Sequence, residues 1–305
     1  MQADSSRRPP PPRSCDTFVY VAGGGGPAAT VFGKNADRPS DEAHEVERTH
    51  AVVLSKPAWM WGLDLWLLGM DLLRLALERG ATARAAGGAC EEGGDWTYEN
   101  GFLLADARQR ALADAGEAFV VETAGTRHWA VERVPPGVES CSAGLKELCG
   151  WWDGEGPFDW KRSVGEGDVA GWLGWMAGVL RDEESGICFR STHGFMSTGS
   201  QISLARGGGH TASHFFTAAS DPLVACYKRW TFGDPAAAAA GDGGSLALWR
   251  RWRSIDLAGR SVPEAMRRAL LEIEAEAVSA AERGGASEFS GSVARELELI
   301  SSFAV

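Results

Sequence analysis

Cys15 lies at the boundary between two very different stretches of sequence. The preceding residues, MQADSSRRPPPPRS, are rich in Arg, Pro and Ser, and the alternating apolar segment DTFVYVA follows directly. If the Ser14–Cys15 bond is cut, the freed α-amine has an ordinary pKa of about 8 and can act as the general base for its own thiol. A cysteine at the start of a strand is more often a small apolar residue. The sequence therefore leaves two readings of Cys15 open, a released N-terminal nucleophile and an ordinary strand residue.

A dense polar cluster follows the next apolar segment, in the sequence VFGKNADRP. If residues 16–32 form a hairpin, the return strand brings this cluster back near Cys15. Asp37 would then bind the freed α-ammonium, and the charge of Lys34 would lower the pKa of the thiol. The alternative is an ordinary turn with a surface ion pair between Asp37 and Arg38.

Two histidines, His210 and His214, stand at a spacing that metal ligands also use, in the sequence HTASH. No HExxH motif and no third ligand accompany them, so we expect one or both to lie on a strand, and we predict no metal or other cofactor. A zinc hydrolase is the weakest of the functions considered. The glycine run at 23–26 lacks the helix and the Lys-Ser/Thr of a phosphate loop, so it predicts a hairpin connection.

Composition limits the classes of protein that this chain can belong to. Its 305 residues carry a formal net charge of -11, spread along the sequence, which argues against a nucleic-acid-binding protein. None of the six cysteines forms a CxxC pair, the first residues lack the apolar core of a signal peptide, and no apolar run reaches the roughly 18 residues of a membrane span. We therefore expect a reduced, cytoplasmic protein without membrane insertion, whose oligomeric state the sequence leaves open.

The apolar patterns predict a block of strands followed by helices, which is typical of an α+β fold. The predicted strands are 16–22, 28–33, 50–55, 100–106, 117–123, 127–134, 200–205, 213–219 and 225–232. Helices are predicted at 67–80 and 168–183, and after residue 244, where Ser261 and Glu264 would form a capping box and Gly284 would end a helix. Residues 135–167 are predicted to be loop-rich.

The chain divides on composition into four parts. Residues 1–14 are predicted to be a disordered leader and candidate propeptide, and residues 15–232 are predicted to form the main domain. The Ala/Gly-rich residues 233–244 are predicted to be a linker, and residues 245–305 a helical region.

Eight sequence blocks, in this order, resemble the secernin family, which belongs to the C69 dipeptidases among the N-terminal-nucleophile hydrolases. The blocks are SCDTFV, VFGKNADRPSDE, AVVLSKPAWMWG, LLGMDLLRLALERG, VVETAGTRHWAVERV, GWWDGEGPFDW, VLRDEESGICF and HFFTAASDP. The resemblance covers most of residues 14–232. It implies a four-layer αββα sandwich and autocatalytic exposure of Cys15 as the nucleophile. It also places Lys34 and Asp37 in the roles of the Arg and Asp of the related F-G-R-N-x-D segment.

Two family segments are missing from this sequence, so the predicted sandwich is partly truncated. A G-A-N-E-x-G-V segment, whose Asn resembles an oxyanion donor, is expected after the PAWMWG block, but LDLW leads directly into LLGMD. An S-N-x-L-S-I segment is likewise absent near GVESCSAGLKELCGWW. Because one lost oxyanion donor costs about 10²–10³ in rate, we expect this chain to have little dipeptidase activity as it stands.

Two functions therefore remain as alternatives. The first is a cysteine-type dipeptidase or amidohydrolase, in which Cys15 attacks a small peptide and its own amine moves the proton, with Asp37 and Lys34 orienting these groups. The second is a non-catalytic cytosolic protein that acts through partners, because the resemblance implies a link to regulated secretion. An uncleaved leader would favour the second.

Overall fold

The computed structural model describes residues 16–22, 29–49, 52–57, 78–79, 101–106, 117–124, 128–134, 137–140, 168–183, 186–190, 195–207, 210–232, 244–255, 262–285 and 288–303. Eleven strands lie in these ranges: β1 (Thr17–Val21), β2 (Ala29–Pro39), β3 (His44–Thr49), β4 (Val52–Pro57), β5 (Gly101–Asp106), β6 (Glu117–Ala124), β7 (His128–Val134), β8 (Gly137–Ser140), β9 (Phe195–Arg206), β10 (Ser213–Phe216) and β11 (Lys228–Trp230). Four helices accompany them: α1 (Val169–Leu180), α2 (Gly244–Ser254), α3 (Glu264–Arg283) and α4 (Phe289–Phe303).

The main sheet has six strands in the order β11-β10-β9-β2-β1-β8, and each strand runs antiparallel to its neighbours. Strands β1 and β2 form the predicted hairpin, with Val21 opposite Thr30 and Thr17 opposite Lys34. Burial alternates along β2 from Val31 onward, and Phe18, Ala29 and Val31 of the hairpin belong to the apolar core. The described chain is therefore of mixed α and β structure with an antiparallel sheet, as the α+β prediction requires.

Two smaller sheets complete the described strands. Strands β3 and β4 pair with each other, and β5, β6 and β7 form a three-stranded antiparallel sheet that contacts β1 and β2. The strands predicted at 50–55, 100–106, 117–123 and 127–134 are confirmed with shifts of one or two residues at their ends. Strands β3 and β8 were not predicted, because HEVERT is mostly polar and GVES lies in the region assigned to loops.

Helix α1 covers one face of the main sheet. It begins after Asp168, whose side chain accepts a hydrogen bond from the backbone N–H of Gly171 at 2.9 Å and so caps the helix. Met176 and Leu180 of α1 are fully buried and pack over Gly33 of β2, where an added Cβ would lie 2.3 Å from the Met176 sulfur. A glycine at this position therefore lets the helix approach the sheet closely. The core on this face contains Phe18, Val31, Trp172, Ile202, Leu204, Phe215 and Tyr227.

The three later helices enclose a second apolar cluster next to β10 and β11. Its members include Phe216, Trp230, Leu248, Trp252, Met266, Leu270, Phe289 and Ile300. Helix α2 begins at Gly244, so the predicted linker ends one residue earlier than expected, and residues 233–243 lie outside the described part. Gly284 ends α3 in the left-handed conformation, with φ of 67°, as predicted.

The predicted capping box at the start of α3 is wrong. The helix begins at Glu264 with Pro263 as its N-cap, and no side chain caps it. Glu264 therefore occupies the first helical position instead of the third, from which it would reach back to the N-cap. Ser261 lies outside the described residues, as does the helix predicted at 67–80 except for its helical residues 78 and 79.

Arg181, at the end of α1, connects three parts of the fold. Its guanidinium makes a bidentate ion pair with Glu274 of α3, with N–O distances of 3.1 and 2.7 Å. It also donates to the carbonyl oxygens of Pro222 and Ala225 at 3.2 and 2.8 Å, and lies 4.7 Å from the centroid of the Tyr227 ring. Because Glu274 also accepts the backbone N–H of Tyr227 at 2.8 Å, this ion pair joins α1, α3 and the segment before β11.

Among the helices that the structure describes, none has the length and apolarity to cross a bilayer.

Candidate functional site

The polar cluster of β2 lies at the end of the hairpin where β1 begins. The backbone N–H of Asn35 donates to the carbonyl oxygen of Asp16 at 2.9 Å, next to the pair formed by Thr17 and Lys34. Strand β2 extends beyond Lys34, the residue opposite the first residue of β1, and Asp37 lies on that extension. The predicted hairpin therefore brings the cluster beside Asp16. Cys15, which precedes Asp16 in the chain, lies outside the described residues.

Asp37 has a buried carboxyl group, of which only one oxygen accepts a hydrogen bond from the described residues. It is 1% exposed and lies opposite Ser197 of β9, at a register shift that falls between Ala36 and Asp37. The hydroxyl of Ser197 donates to Asp37 Oδ1 at 2.7 Å. The other oxygen, Oδ2, is shielded from solvent and has no hydrogen-bond partner among the residues that the structure describes.

Burial makes Asp37 an acid that titrates near neutral pH. The pKa of Asp37 is raised from 3.8 to about 7: loss of solvation is the largest cause and the nearby carboxylate of Asp16 adds to it, while the Ser197 hydrogen bond and the charge of Lys34 oppose the rise. Such a carboxyl group can accept a proton or hold an ammonium group near pH 7, which suits it to a reaction site.

The turn interpretation of Asp37 and Arg38 is wrong. Asp37 lies within a strand and is buried, whereas Arg38 pairs with Glu42 through two N–O contacts of 2.6 and 3.0 Å. Lys34 is half-buried, and its Nζ donates to the carbonyl oxygen of Asn35 at 3.3 Å. Its charge acts on Asp37, as described above, but its predicted contact with the Cys15 thiol lies outside the described residues.

Asn35 has a structural task that the sequence did not indicate. Its side chain is fully buried, and Nδ2 donates to the carbonyl oxygens of Leu180 at 2.8 Å and Ile187 at 2.9 Å. It thereby attaches the segment after α1 to strand β2. Ser197, the hydroxyl partner of Asp37, is separated from it by 160 positions in the sequence, so no local pattern could have identified the pair.

The sequence also gave no indication that His44, which follows the polar cluster, lies buried beside it. Its side chain is buried, and neither ring nitrogen has a hydrogen-bond partner in the part of the chain that the structure describes. Burial, together with the positive charges of Arg38 and Lys34, lowers the pKa of His44 to about 3. The imidazole is therefore neutral at physiological pH and adds no positive charge to the site.

The two histidines of HTASH lie in different environments. His214 is on β10, as predicted, and its Nδ1 lies 2.9 Å from the Ser203 hydroxyl, with the rings of Trp230 and Phe232 less than 6 Å away. His210 precedes the strand and is exposed. Burial lowers the pKa of His214 to about 4. Within the described ranges, no group of three or more His, Cys, Asp and Glu side chains is arranged to hold a metal ion.

The two described cysteines do not have the properties of a nucleophile. Cys188 and Cys226 are free, buried thiols. Burial raises the pKa of both above the ordinary range of a thiol, so the reactive thiolate form is disfavoured. Cys15, Cys90, Cys141 and Cys149 lie outside the described residues. No protein-family model matches this chain.

Proposed function

We propose that this chain is a cysteine-type dipeptidase or amidohydrolase that uses Cys15 as an N-terminal nucleophile. The observation that carries the proposal is the open, buried Oδ2 of Asp37, on the extension of β2 that passes the start of β1. A buried carboxyl oxygen without a partner is costly. An ammonium group at the start of β1 would satisfy it and would lower the pKa of the carboxyl group.

In the proposed maturation, the Cys15 thiol attacks the carbonyl carbon of Ser14. The Ser14–Cys15 peptide C–N bond breaks, and its nitrogen takes up a proton to become the α-amine, while a thioester forms between Ser14 and the sulfur. Water then hydrolyses the thioester, which leaves a carboxylate on Ser14 and returns the thiol. The Arg- and Pro-rich residues 1–14 are the leader that this reaction would release.

In the proposed catalytic cycle, the thiol attacks the carbonyl carbon of a small peptide substrate. The thiol proton passes through the neutral α-amine to the leaving amine as the scissile C–N bond breaks. Water hydrolyses the resulting thioester and restores the thiol. Asp37 holds the amine in place, and Lys34 favours the thiolate. No cofactor takes part in these steps.

We also propose that the described sheets belong to an αββα sandwich. Two observations support this: α1 packs on one face of the main sheet, and the sheet of β5, β6 and β7 contacts β1 and β2. The resemblance of residues 14–232 to the secernins agrees with this arrangement, although the missing segments after Trp61 and near Cys149 would remove part of it.

The test combines intact mass, N-terminal sequencing and hydrolysis of a dipeptide panel. The purified chain is expected to begin at Cys15 and, because the segment with the expected oxyanion donor is missing, to hydrolyse dipeptides only weakly. Cys15→Ala is expected to keep its leader and to lose this hydrolysis completely. Cys226→Ala makes the same chemical change at a buried thiol that hydrogen-bonds to Glu296 and is the matched control; it should be cleaved as the parent is.

Three outcomes would contradict the proposal. Hydrolysis by a chain whose mass corresponds to all 305 residues would show that no terminal amine is needed. Hydrolysis by Cys15→Ala would show that another group is the nucleophile. An uncleaved parent chain with no hydrolysis would instead favour a non-catalytic protein that acts through partners.

A further inference from the structure

Ser197 occupies a position in which the direction of its hydrogen bonds is fixed. The backbone N–H of Phe189 donates to Ser197 Oγ at 3.2 Å, and the backbone N–H of Ser197 donates to the Phe189 carbonyl oxygen at 3.0 Å. A hydroxyl group has one proton, and the oxygen of Ser197 already accepts the Phe189 N–H. The Cys188 thiol is also within hydrogen-bond reach of this hydroxyl, but sulfur is the weaker acceptor, so the proton is directed to Asp37 Oδ1 at 2.7 Å.

The segment that contains Phe189 is itself held by the strand that carries Asp37. Asn35, two residues before Asp37, donates through Nδ2 to the carbonyl oxygens of Leu180 and Ile187. The backbone N–H of Cys188 closes the same segment onto the carbonyl oxygen of Asp182 at 2.9 Å. Strand β2 therefore carries Asp37 and also fixes the backbone that orients the hydroxyl bound to it.

We infer that Ser197 is a positioning residue that binds Asp37 Oδ1 and so leaves Oδ2 to face the α-ammonium of Cys15. Its catalytic consequence rests on the proposed function, but its effect on Asp37 does not. One donor to one oxygen fixes the rotation of the carboxyl plane, because exchanging the two oxygens would break a bond between buried groups. In this assignment Ser197 touches neither the Cys15 sulfur nor the substrate, so it acts on the reaction only through Asp37.

The hydroxyl also lowers the pKa of Asp37, which burial raises. Among the residues that the structure describes, the charge of Asp16 raises the pKa of Asp37 and the charge of Lys34 lowers it. The buried Cys188 thiol lies close enough for the negative charge of Asp37 to disfavour its thiolate. The Ser197 hydrogen bond, like the charge of Lys34, favours the ionised carboxylate, whereas burial and the charge of Asp16 disfavour it. Removing the Ser197 hydroxyl should therefore raise the pKa of Asp37 by about one unit.

The first measurement follows the titration of the Asp37 side-chain carboxyl carbon by NMR in chains that carry Cys15→Ala. The proposed cleavage cannot occur in this background, so the result does not depend on the proposed function. Ser197→Ala is expected to raise the pKa of Asp37 by about one unit, whereas Ser197→Thr, which keeps a hydroxyl, should stay near the parent. Ser203→Ala is the matched control, because Ser203 also lies on β9 but contacts Gln201 and His214.

If Ser197→Ala does not fold, Ser197→Cys, which has a weaker donor of similar shape, is titrated in its place and should move the pKa in the same direction. A titration of the Ala or Cys variant that coincides with the parent overturns the inference, whatever the activity of the chain.

The second measurement uses the chain with Cys15 intact. If the proposed function holds, Ser197→Ala should move the acid limb of the kcat/KM profile upward by the same amount as the NMR titration, and Ser197→Thr should restore it. A shift by NMR in a parent chain that neither matures nor hydrolyses dipeptides would leave the positioning of Asp37 intact and refute only the proposed function. An unchanged acid limb in an active Ser197→Ala enzyme would refute the catalytic role of Ser197.

Discussion

Lys228 of β11 and Glu296 of α4 form an ion pair from which solvent is completely excluded. Glu296 also accepts hydrogen bonds from Trp252 Nε1 at 2.8 Å and from the Cys226 thiol at 3.0 Å, and Lys228 donates to the Cys226 carbonyl oxygen at 2.7 Å. These bonds connect the sheet to α2 and α4. The helical region predicted from residue 245 onward is therefore packed against the sheet through buried charges as well as apolar side chains.

Glu296→Gln is expected to lower the free energy of unfolding by about 3–5 kcal/mol, because it leaves the Lys228 ammonium buried without a counter-charge. Urea denaturation measures this loss. The matched control is Glu276→Gln, which breaks the exposed pair with Arg295 and should cost about 0–1 kcal/mol. Equal losses in the two variants would show that Lys228 and Glu296 are not held together as an isolated buried pair.

Gly33→Ala should destabilise the protein by about 1–3 kcal/mol, since the new Cβ would lie 2.3 Å from the Met176 sulfur and 3.1 Å from Leu180 Cδ1. Met176→Ala in the same chain should recover part of the loss that Gly33→Ala adds, because it removes the atoms in conflict. Gly174→Ala is the control: it lies on the exposed side of α1 with nothing within 4 Å, and should stabilise the helix by about 0.5–1 kcal/mol. Additive effects of Gly33→Ala and Met176→Ala would contradict the predicted contact.

His214 is expected to make the protein less stable in acid. Because burial lowers its pKa to about 4, the folded protein keeps the imidazole neutral between pH 4 and 6.5, while the unfolded chain takes up a proton. Stability from this group is present above pH 6.5 and is lost as the pH falls toward 4. When the pH falls from 7.5 to 5, the free energy of unfolding of His214→Asn should decrease by about 2 kcal/mol less than that of the parent. The exposed His210→Asn should follow the parent, and a parallel profile for His214→Asn would contradict the assignment.

Asp37 is expected to change the stability of the protein with pH in the opposite direction from His214. Its pKa is raised to about 7, primarily by burial, so between pH 3.8 and 7 the folded protein holds a proton that the unfolded chain has released. Its contribution to stability is present below that window and is lost as the pH rises through it. Both chains compared carry Cys15→Ala. As the pH rises from 5 to 7.5, the free energy of unfolding of the Asp37→Asn chain should therefore increase by about 2–3 kcal/mol relative to that of the chain that keeps Asp37. Two parallel unfolding profiles would show that the carboxyl group ionises at its ordinary pKa.

The sequence predicted the parts of the fold that depend on neighbouring residues. Short apolar segments bounded by turn residues predicted the β1–β2 hairpin and the strands β5, β6 and β7, and the apolar face of residues 168–183 predicted α1. The hairpin also brought the Lys34 and Asp37 cluster to the beginning of β1. Each of these features follows from side-chain periodicity and the residues at turns.

The sequence could not predict contacts between distant segments. Ser197 meets Asp37 only because β9 pairs with β2, and the register shift between Ala36 and Asp37 sets which residue of β9 lies opposite. The same holds for β8, which was placed in a loop because GVES has little apolar character, yet pairs with β1 in the sheet. The burial of His44 likewise depends on segments packed around it. The propensity of a short segment does not contain this information.

The ion pair of Arg181 and Glu274 has a consequence for how the protein opens. Releasing α3 would strip the guanidinium of its carboxylate and free the backbone N–H of Tyr227, at the same time as it exposed apolar residues of α1. Separate opening of α3 is thus penalised by charge and by apolar surface together. In native-state hydrogen exchange, the slow amides of α1 and α3 should therefore behave as one cooperative unit, although the two helices are separated by more than eighty residues in the chain.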